Sequence, residues 1–179
     1  MTEVGNVYGE ALYSLAREEG LSKAILMELK TLDVCFTQEP DFLRLLGAPN
    51  LPKAERCKIV DDSFRGKVAP YILNFLKILT EKGYVRHFHA CVQAYRELYN
   101  QDNGILPVTA VTASPMNKKQ MTALTEKLNR ITGKHVELEN KLDPAVLGGV
   151  RLDYDGKRVD DTVSHRLDAI RGTLERTVL

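Results

Sequence analysis

The chain has little of what marks several common protein classes. It contains only three cysteines, widely separated and without a Cys-x-x-Cys pair. This pattern argues against a disulfide framework and a thiolate metal site, and it favours a reducing compartment. No segment reaches the roughly 18 to 20 apolar residues of a membrane-spanning helix, and the polar N-terminus lacks the regions of a secretory signal. We therefore expect a protein that works at a membrane only as a peripheral subunit.

Excess charge of one sign is also missing. Lys and Arg number 25 and Asp and Glu number 24, which leaves a net charge of +1. No overall field therefore attracts nucleic acid or an anionic membrane, and partners must be recognised by shape and local chemistry. The hydrophobic content of 44% in 179 residues is sufficient for a globular protein with a buried core.

What the chain does contain is hydrophobic periodicity, which changes near Asn103-Gly104. Residues 4–103 follow the spacing of successive amphipathic helices, and strand patterns begin at Ile105. The sequence predicts a predominantly helical α+β protein, with an N-terminal six-helix bundle (1–104) and a small mixed α/β C-terminal domain (105–179). The predicted fifth helix (68–82) is apolar on more than one face, which indicates a central position or a surface kept for a partner. Pro52 is predicted to occupy the first position of a helix.

The C-terminal stretch predicts a hairpin. Val150, Leu152 and Tyr154 alternate as in a strand, and Asp155-Gly156 supplies the positive φ angles of a tight turn before the returning strand at 157–159. Gly148-Gly149 is expected to allow a bulge or close backbone approach rather than to bind phosphate, because no P-loop pattern surrounds the pair.

A final helix is predicted after the hairpin. Its apolar positions recur at helical spacing and are Val163, Leu167, Ile170 and Leu174. The pair Asp160-Asp161 before it is expected to cap the helix and to place negative charge at its positive end, rather than to act as a catalytic dyad.

No set of residues indicates catalysis. His87 and His89 are two apart on a predicted helix, so their side chains diverge by about 200° and cannot share a metal without a ligand from elsewhere. Cys91 follows His87 at an i+4 spacing, but no orienting group or oxyanion donor accompanies it. A buried structural cysteine is expected, and a thiol enzyme is the weakest alternative. We predict no catalytic residue, no metal and no cofactor.

Basic residues on a predicted helix at 118–134 leave a second interpretation open. They are Lys118, Lys119, Lys127, Arg130 and Lys134. They could belong to a small RNA-binding or regulatory protein, which would show steep salt dependence. Solvated helix faces often carry such charges, however, and no RNP-like strand or Gly-x-x-Gly loop is present. Nucleic-acid binding is therefore not expected.

The C-terminal stretch resembles the signature of the delta subunit of F-type ATP synthases, the family that includes the mitochondrial oligomycin-sensitivity-conferring protein. In that family an acidic residue and a small-Gly-hydrophobic step precede a hairpin, which ends in Asp-x-Ser/Thr-Val before an Arg/Leu-rich helix. The matching residues are Asp143, Leu147-Gly148-Gly149-Val150, Asp155-Gly156, Asp161-Thr162-Val163 and Arg166-Leu167. The resemblance extends over the whole chain.

The N-terminal run from Tyr8 to Tyr13 also resembles the family's opening pattern, Tyr-Ala-x-Ala-Leu-Phe. Gly9 stands where alanine is usual, which is expected to weaken the first helix because glycine costs about 1 kcal/mol relative to alanine.

The resemblance implies an interface for a helix of another subunit. In delta subunits the N-terminal bundle receives the N-terminal helix of an alpha subunit in a groove formed mainly by its first and fifth helices. The corresponding positions here are Tyr8, Ala11, Leu12, Leu15, Phe75, Ile78 and Leu79. Ala11 is the expected small residue that admits the visiting helix, although at least half of the first-helix residues also fit an ordinary core.

The implied function is that of a non-catalytic stator subunit. It would link the catalytic head to the peripheral stalk of a proton- or sodium-driven ATP synthase, so that rotor torque is coupled to ATP synthesis and ion translocation. The C-terminal domain would dock the b subunits of the stalk. The implied location is peripheral, at the cytoplasmic face of a bacterial plasma membrane.

Overall fold

The computed structural model describes residues 3–48, 50–146 and 148–160. The α-helices in this part of the chain are α1 (Glu3–Glu18), α2 (Ser22–Gln38), α3 (Pro40–Leu46), α4 (Lys53–Phe64), α5 (Pro70–Lys82), α6 (Phe88–Asp102) and α7 (Lys118–Thr132), and a short 3-10 helix, Val85–His87, precedes α6. The strands are β1 (Ile105–Thr112), β2 (His135–Leu142), β3 (Arg151–Tyr154) and β4 (Lys157–Asp160). None of these helices combines the length and apolar character that crossing a membrane requires. Asp161 and the predicted final helix lie outside the described residues.

Contacts divide the chain into two compact units, Met1–Tyr99 and Asn100–Leu179. We call them the helical unit and the α/β unit. The helical unit contains α1 to α5 and most of α6, whereas the α/β unit contains the four strands and α7. The predicted α+β class, mostly helical with a small mixed sheet, is confirmed. The division falls within the last turns of α6, shortly before the predicted boundary at 104.

One hydrophobic core holds the helical unit together, and each of its helices contributes to it. Fully or nearly fully buried members are Leu12, Ile25, Leu29, Phe36, Leu46, Val60, Ile72, Leu76, Leu79, Phe88 and Tyr95. Helix α5 has apolar residues both in the core and at the surface. Leu79 is 0% exposed in the core, whereas the neighbouring Ile78 is 45% exposed.

Prolines and glycines set the ends of these helices. Pro40 and Pro70 occupy first helical positions, where a missing N–H costs nothing. Pro52 does not, and that prediction was wrong. Its ψ of 144° is extended, so Pro52 is the N-cap residue and α4 begins at Lys53. Gly83 ends α5 with a φ of 75°, a left-handed conformation that glycine adopts without steric penalty.

The sheet of the α/β unit is mixed, with strand order β2-β1-β3-β4. Strands β1 and β2 are parallel, and the β1–β3 and β3–β4 pairs are antiparallel. Strand β1 begins at Ile105, where the strand patterns of the sequence begin, and it includes Pro107. Its pairing with β3 covers only Val108 to Val111. At Pro107, which pairs with Glu137 of β2, β1 has no β3 neighbour and is locally an edge of the sheet, where proline is tolerated.

The predicted hairpin is confirmed. Asp155 and Gly156 have φ angles of 48° and 69° and connect β3 to β4, as a two-residue turn of type I′ requires. Strand β3 begins at Arg151, however, so Val150 precedes the strand instead of forming part of it. Gly149 has a φ of 86°, so the turn into the sheet uses a conformation that disfavours a side chain.

Candidate functional site

The seven predicted groove residues fall into two groups. Leu12, Phe75 and Leu79 belong to the buried core of the helical unit, where they offer no contact surface. Ala11, Leu15 and Ile78 are exposed and Tyr8 is half-buried. Only these four residues are accessible for direct contact with a partner. The three buried residues belong to the core on which the accessible ones rest.

An exposed apolar ridge runs along α1, formed by Val7, Ala11 and Leu15. Four-residue spacing places the three side chains on one face of a helix. Val7 was not among the predicted site residues, although it belongs to the same periodic stripe. The signal was missed because an exposed stripe and a core stripe have the same spacing.

Gly9 determines which side of α1 faces inward. A Cβ at this position would lie 2.6 Å from the carbonyl oxygen of Cys91 and 2.8 Å from the Cβ of Ala94, both in α6. Helices α1 and α6 therefore pack in close backbone contact here. Ala11 lies about 200° around the helix from Gly9, so this packing directs the α1 ridge away from α6 and towards solvent.

An aromatic pair connects α1 with the end of α5. The ring centroids of Tyr8 and Tyr84 are 5.8 Å apart, and Tyr84 directly follows Gly83, which ends α5. Tyr84 also contacts the ring of His87 at 6.2 Å. The structure thus brings Tyr8 to the C-terminal end of α5. Tyr84 was missed because it lies outside any predicted helix and has no periodic partner.

In the α/β unit the family signature residues occupy separate places. Asp143 accepts a hydrogen bond from the backbone N–H of Ala145 at 3.0 Å, and its carboxylate is 3.9 Å from the guanidinium of Arg151. The structure therefore joins Asp143 to the start of β3. Gly156 lies at the opposite end of the β3–β4 hairpin, and Asp161 lies outside the described residues.

The ion pairs of this region continue along the hairpin. Asp153 accepts a hydrogen bond from Arg158 at 2.8 Å and lies 3.5 Å from Arg151. The hydrogen bond from Arg158, followed by the charges of Arg158 and Arg151, holds the pKa of Asp153 below its usual value. Together with Asp143 these residues form a row of alternating charge.

Asn140 of β2 was not predicted to have a role, yet its side chain makes three hydrogen bonds. Its amide nitrogen donates to the carbonyl of Ala110 at 2.9 Å and to the hydroxyl of Thr112 at 2.8 Å. Its amide oxygen accepts from the N–H of Met116 at 2.9 Å. Asn140 thereby fixes the segment between β1 and α7. A lone Asn in a strand gives no sequence signal of this kind.

The cysteine and histidine side chains that could carry chemistry have the surroundings of structural residues. Cys91 is buried, and this burial raises the pKa of its thiol to about 11, which disfavours the nucleophilic thiolate. His89 pairs with Asp33 of α2 at 2.9 Å. Among the described residues no group of three or more His, Cys, Asp or Glu could hold a metal ion.

The basic residues of α7 are exposed, and no side chain of this helix is fully buried. The helix begins with a capping box, in which Asn117 and Gln120 bond to each other's backbone N–H groups. The exposure of the basic residues is that of a solvated helix face, as described above. No contact in α7 favours a nucleic-acid site.

A family model described as ATP synthase delta (OSCP) subunit matches residues 4–174. The chain is similar to the ATP synthase subunit delta of Clostridioides difficile (strain 630), with 32% identity over 98% of the chain and 97% of that protein. It is also similar to the ATP synthase subunit delta of Alkaliphilus oremlandii (strain OhILAs), with 31% identity over 98% of each.

Among solved structures, a chain of the Toxoplasma gondii mitochondrial ATP synthase hexamer has a similar fold. The TM-score is 0.73 at 16% sequence identity, and the match covers 97% of this chain and 98% of that one. At this identity the match shows a shared fold.

Proposed function

Because the chain belongs to the ATP synthase delta (OSCP) subunit family, we propose that it links the catalytic head of an F-type ATP synthase to the peripheral stalk. It is a structural subunit and not an enzyme. In a rotary machine the head must be held stationary against the torque of the rotor. The proposed subunit transmits that reaction force and so couples ion translocation to ATP synthesis.

Two observations support the proposal, the exposed apolar ridge of α1 and the exposed Ile78 of α5. Helices α1 to α6 would form the six-helix bundle of the family, and the surface made by these residues would receive the N-terminal helix of an alpha subunit. Small and apolar side chains on the outside of two helices are what a helix-in-groove contact requires. Ala11 would admit the visiting helix, and Leu15 and Ile78 would hold its apolar side chains.

The buried residues below this surface would give the site its rigidity. Leu79 is fully buried beside the exposed Ile78, so the position of Ile78 is fixed by core packing. A preorganised surface loses less conformational entropy when a partner binds. This property suits a contact that must bear load through each rotation.

The α/β unit would dock the C-terminal ends of the b subunits. The row of alternating charge from Asp143 to Arg158 supports a polar, orientation-specific contact in this unit, because complementary charges fix the register between partners. The subunit would be peripheral, at the cytoplasmic face of a bacterial plasma membrane. The bacterial relatives support this location.

A binding measurement with Ala11→Arg tests the alpha-subunit site. Ala11 is exposed, so arginine is expected to leave the circular dichroism spectrum unchanged while it abolishes binding of an alpha N-terminal peptide. Ala123→Arg is the matched control, because Ala123 is also an exposed alanine within a helix but lies in the α/β unit. Unchanged peptide affinity of Ala11→Arg would refute the site.

Reconstituted membranes test the stator role itself. Membranes that lack this chain should hydrolyse ATP without pumping ions, and adding the purified chain should restore pumping. The Ala11→Arg chain should fail to restore it, and the Ala123→Arg chain should succeed. Coupled pumping in the complete absence of the chain would contradict the proposal.

A further inference from the structure

A depression lies in the helical unit, between α2 and the end of α4, and it shares no residue with the proposed alpha-subunit site. Its volume is about 430 Å³, and its lining includes Met27, Thr31, Phe64, Lys67 and Val68. We call it the α2–α4 groove. Met27 is 61% exposed at its rim, so the groove is open to solvent and offers space for side chains of another molecule.

The apolar character of the groove continues along α2. Met27 and Val34 are both exposed and seven residues apart, which places them on one face of the helix. Methionine is adaptable and frequent at surfaces that bind apolar side chains of partner helices. The groove and its extension therefore present a stripe of the length of two helical turns, as an amphipathic helix needs.

The charged residues around the groove indicate the sign of the charge that a partner would carry. Lys23 and Lys30 lie on the same face of α2 as Met27, and Lys67 lies on the other side of the groove. All three are exposed, and none forms an ion pair in the part of the chain that the structure describes.

Three of the neighbouring carboxylates, in contrast, have hydrogen-bond or ion-pair partners. Glu28 accepts the backbone N–H of Ala69 at 2.8 Å, at the start of α5. Asp33 pairs with His89, and Asp61 pairs with Lys77 and Arg65. Asp62 is exposed, but it lies about 100° around α4 from the groove-lining Ser63. The N–H of Ala69 is neutral, so Glu28 keeps its negative charge in the lining of the groove. The exposed Lys23, Lys30 and Lys67 outnumber it, and the net charge of these four residues is positive.

We infer that the α2–α4 groove binds an acidic amphipathic helix of another subunit in the assembled complex. The apolar side chains of that helix enter the groove beside Met27 and Phe64, and its carboxylates meet Lys30 and Lys67. This second contact would act together with the alpha-subunit site, because two contacts on one rigid unit resist rotation better than a single one.

Photo-crosslinking in the assembled complex tests the inference. Met27 is replaced by benzoylphenylalanine, and the adduct is mapped by mass spectrometry. The expected adduct joins this chain to an acidic, apolar-striped helix of a different subunit, and Lys30→Glu/Lys67→Glu lowers its yield by about tenfold or more. The same photoreactive residue at Ile131 of α7, which is 70% exposed, controls for non-specific reaction.

Each other result would overturn the inference. An adduct to a second copy of this chain, to its own residues 161–179 or to lipid is one such result. An unchanged adduct yield in the charge-reversed variant is another, and the absence of any adduct is a third. Ala11→Arg within the same complex separates the two sites. It should leave the Met27 adduct intact if the complex still assembles through the stalk.

Two synthetic peptides provide an assay that does not depend on assembly. Both carry a leucine stripe at helical spacing, one flanked by glutamates and the other by lysines. The glutamate peptide should shift the NMR signal of the Met27 methyl group and bind about tenfold or more tightly than the lysine peptide. Lys30→Glu/Lys67→Glu should reverse this preference. Equal affinity for both peptides would contradict the inference.

Discussion

Gly9 of α1 and Ala94 of α6 pack so closely that a Cβ on Gly9 would lie 2.8 Å from the Cβ of Ala94. The carbonyl oxygen of Cys91 would be closer still, at 2.6 Å. The backbone of α6 cannot move away from α1 without disturbing the shared core. Glycine at position 9, where the family usually has alanine, weakens α1 locally. It thus permits a closer contact between α1 and α6.

Gly9→Ala is therefore expected to destabilise the protein. Alanine would gain up to about 1 kcal/mol in helix propensity, but overpacking against backbone typically costs roughly 1–3 kcal/mol. Urea unfolding should show a net loss of stability. Asn6→Ala, at an exposed position of the same helix, should be neutral or slightly stabilising. A more stable Gly9→Ala protein would mean that α1 and α6 separate easily.

Substitutions at Ile78 and Leu79 should affect different properties, peptide binding at Ile78 and stability at Leu79. Ile78→Arg changes an exposed side chain, so we expect its unfolding free energy to stay within about 0.5 kcal/mol and alpha-peptide affinity to fall about tenfold or more. Leu79→Ala creates a core cavity and should cost roughly 2–5 kcal/mol.

Calorimetric titration at a temperature where both variants are folded measures the two effects. Leu79→Ala should then retain peptide affinity close to that of the unchanged chain. An equal loss of affinity in both variants would show that the visiting helix reaches Leu79, which would require α5 to rearrange.

Helices could be predicted from the sequence because periodic apolar residues, Pro and Gly act locally. Gly83 ends α5 and Asp155-Gly156 turns the hairpin as predicted, since positive φ angles favour these residues whatever surrounds them. The presence of Pro107 within β1 is unexpected, because proline argues against a central strand. Strand β3 does not reach Pro107, so β1 is locally an edge of the sheet at that residue.

The candidate site was harder to predict because burial depends on the packing of distant segments. Periodicity placed Leu12 and Ala11 on one helix, but it did not reveal that Leu12 faces the core and Ala11 faces solvent. That distinction follows from the contact of Gly9 with α6, about eighty-five residues away along the chain. The side-chain bonds of Asn140 likewise depend on tertiary register, which no single-sequence pattern contains.

Asn140 should contribute measurably to the stability of the α/β unit. Asn140→Ala removes three hydrogen bonds and leaves the N–H of Met116 without its partner, so a loss of roughly 1–3 kcal/mol is expected. Asn140→Asp should cost more at neutral pH, because a carboxylate would face the oxygens of Ala110 and Thr112. Chemical unfolding measures both losses. Asn74→Asp, at an exposed position, is the control, and an equal small effect at both sites would contradict the prediction.

Asp61 should make the stability of the helical unit depend on acidity. The ammonium of Lys77 and then the guanidinium of Arg65, both beside its carboxylate, hold its pKa below the ordinary value of 3.8. The unfolded chain therefore binds the proton more readily. The ion pairs stabilise the folded state at pH values above 3.8 and lose this effect as the pH falls through the folded-state pKa.

Urea unfolding between about pH 6 and pH 3 tests this dependence. The difference in stability between the unchanged chain and Asp61→Asn should be constant at the upper end and shrink as Asp61 becomes protonated. Asp62→Asn is the matched control, because Asp62 is the next residue of α4, is exposed, and has no ion pair among the described residues. If Asp62→Asn altered the acid dependence as much as Asp61→Asn, total charge rather than the contacts with Lys77 and Arg65 would be responsible.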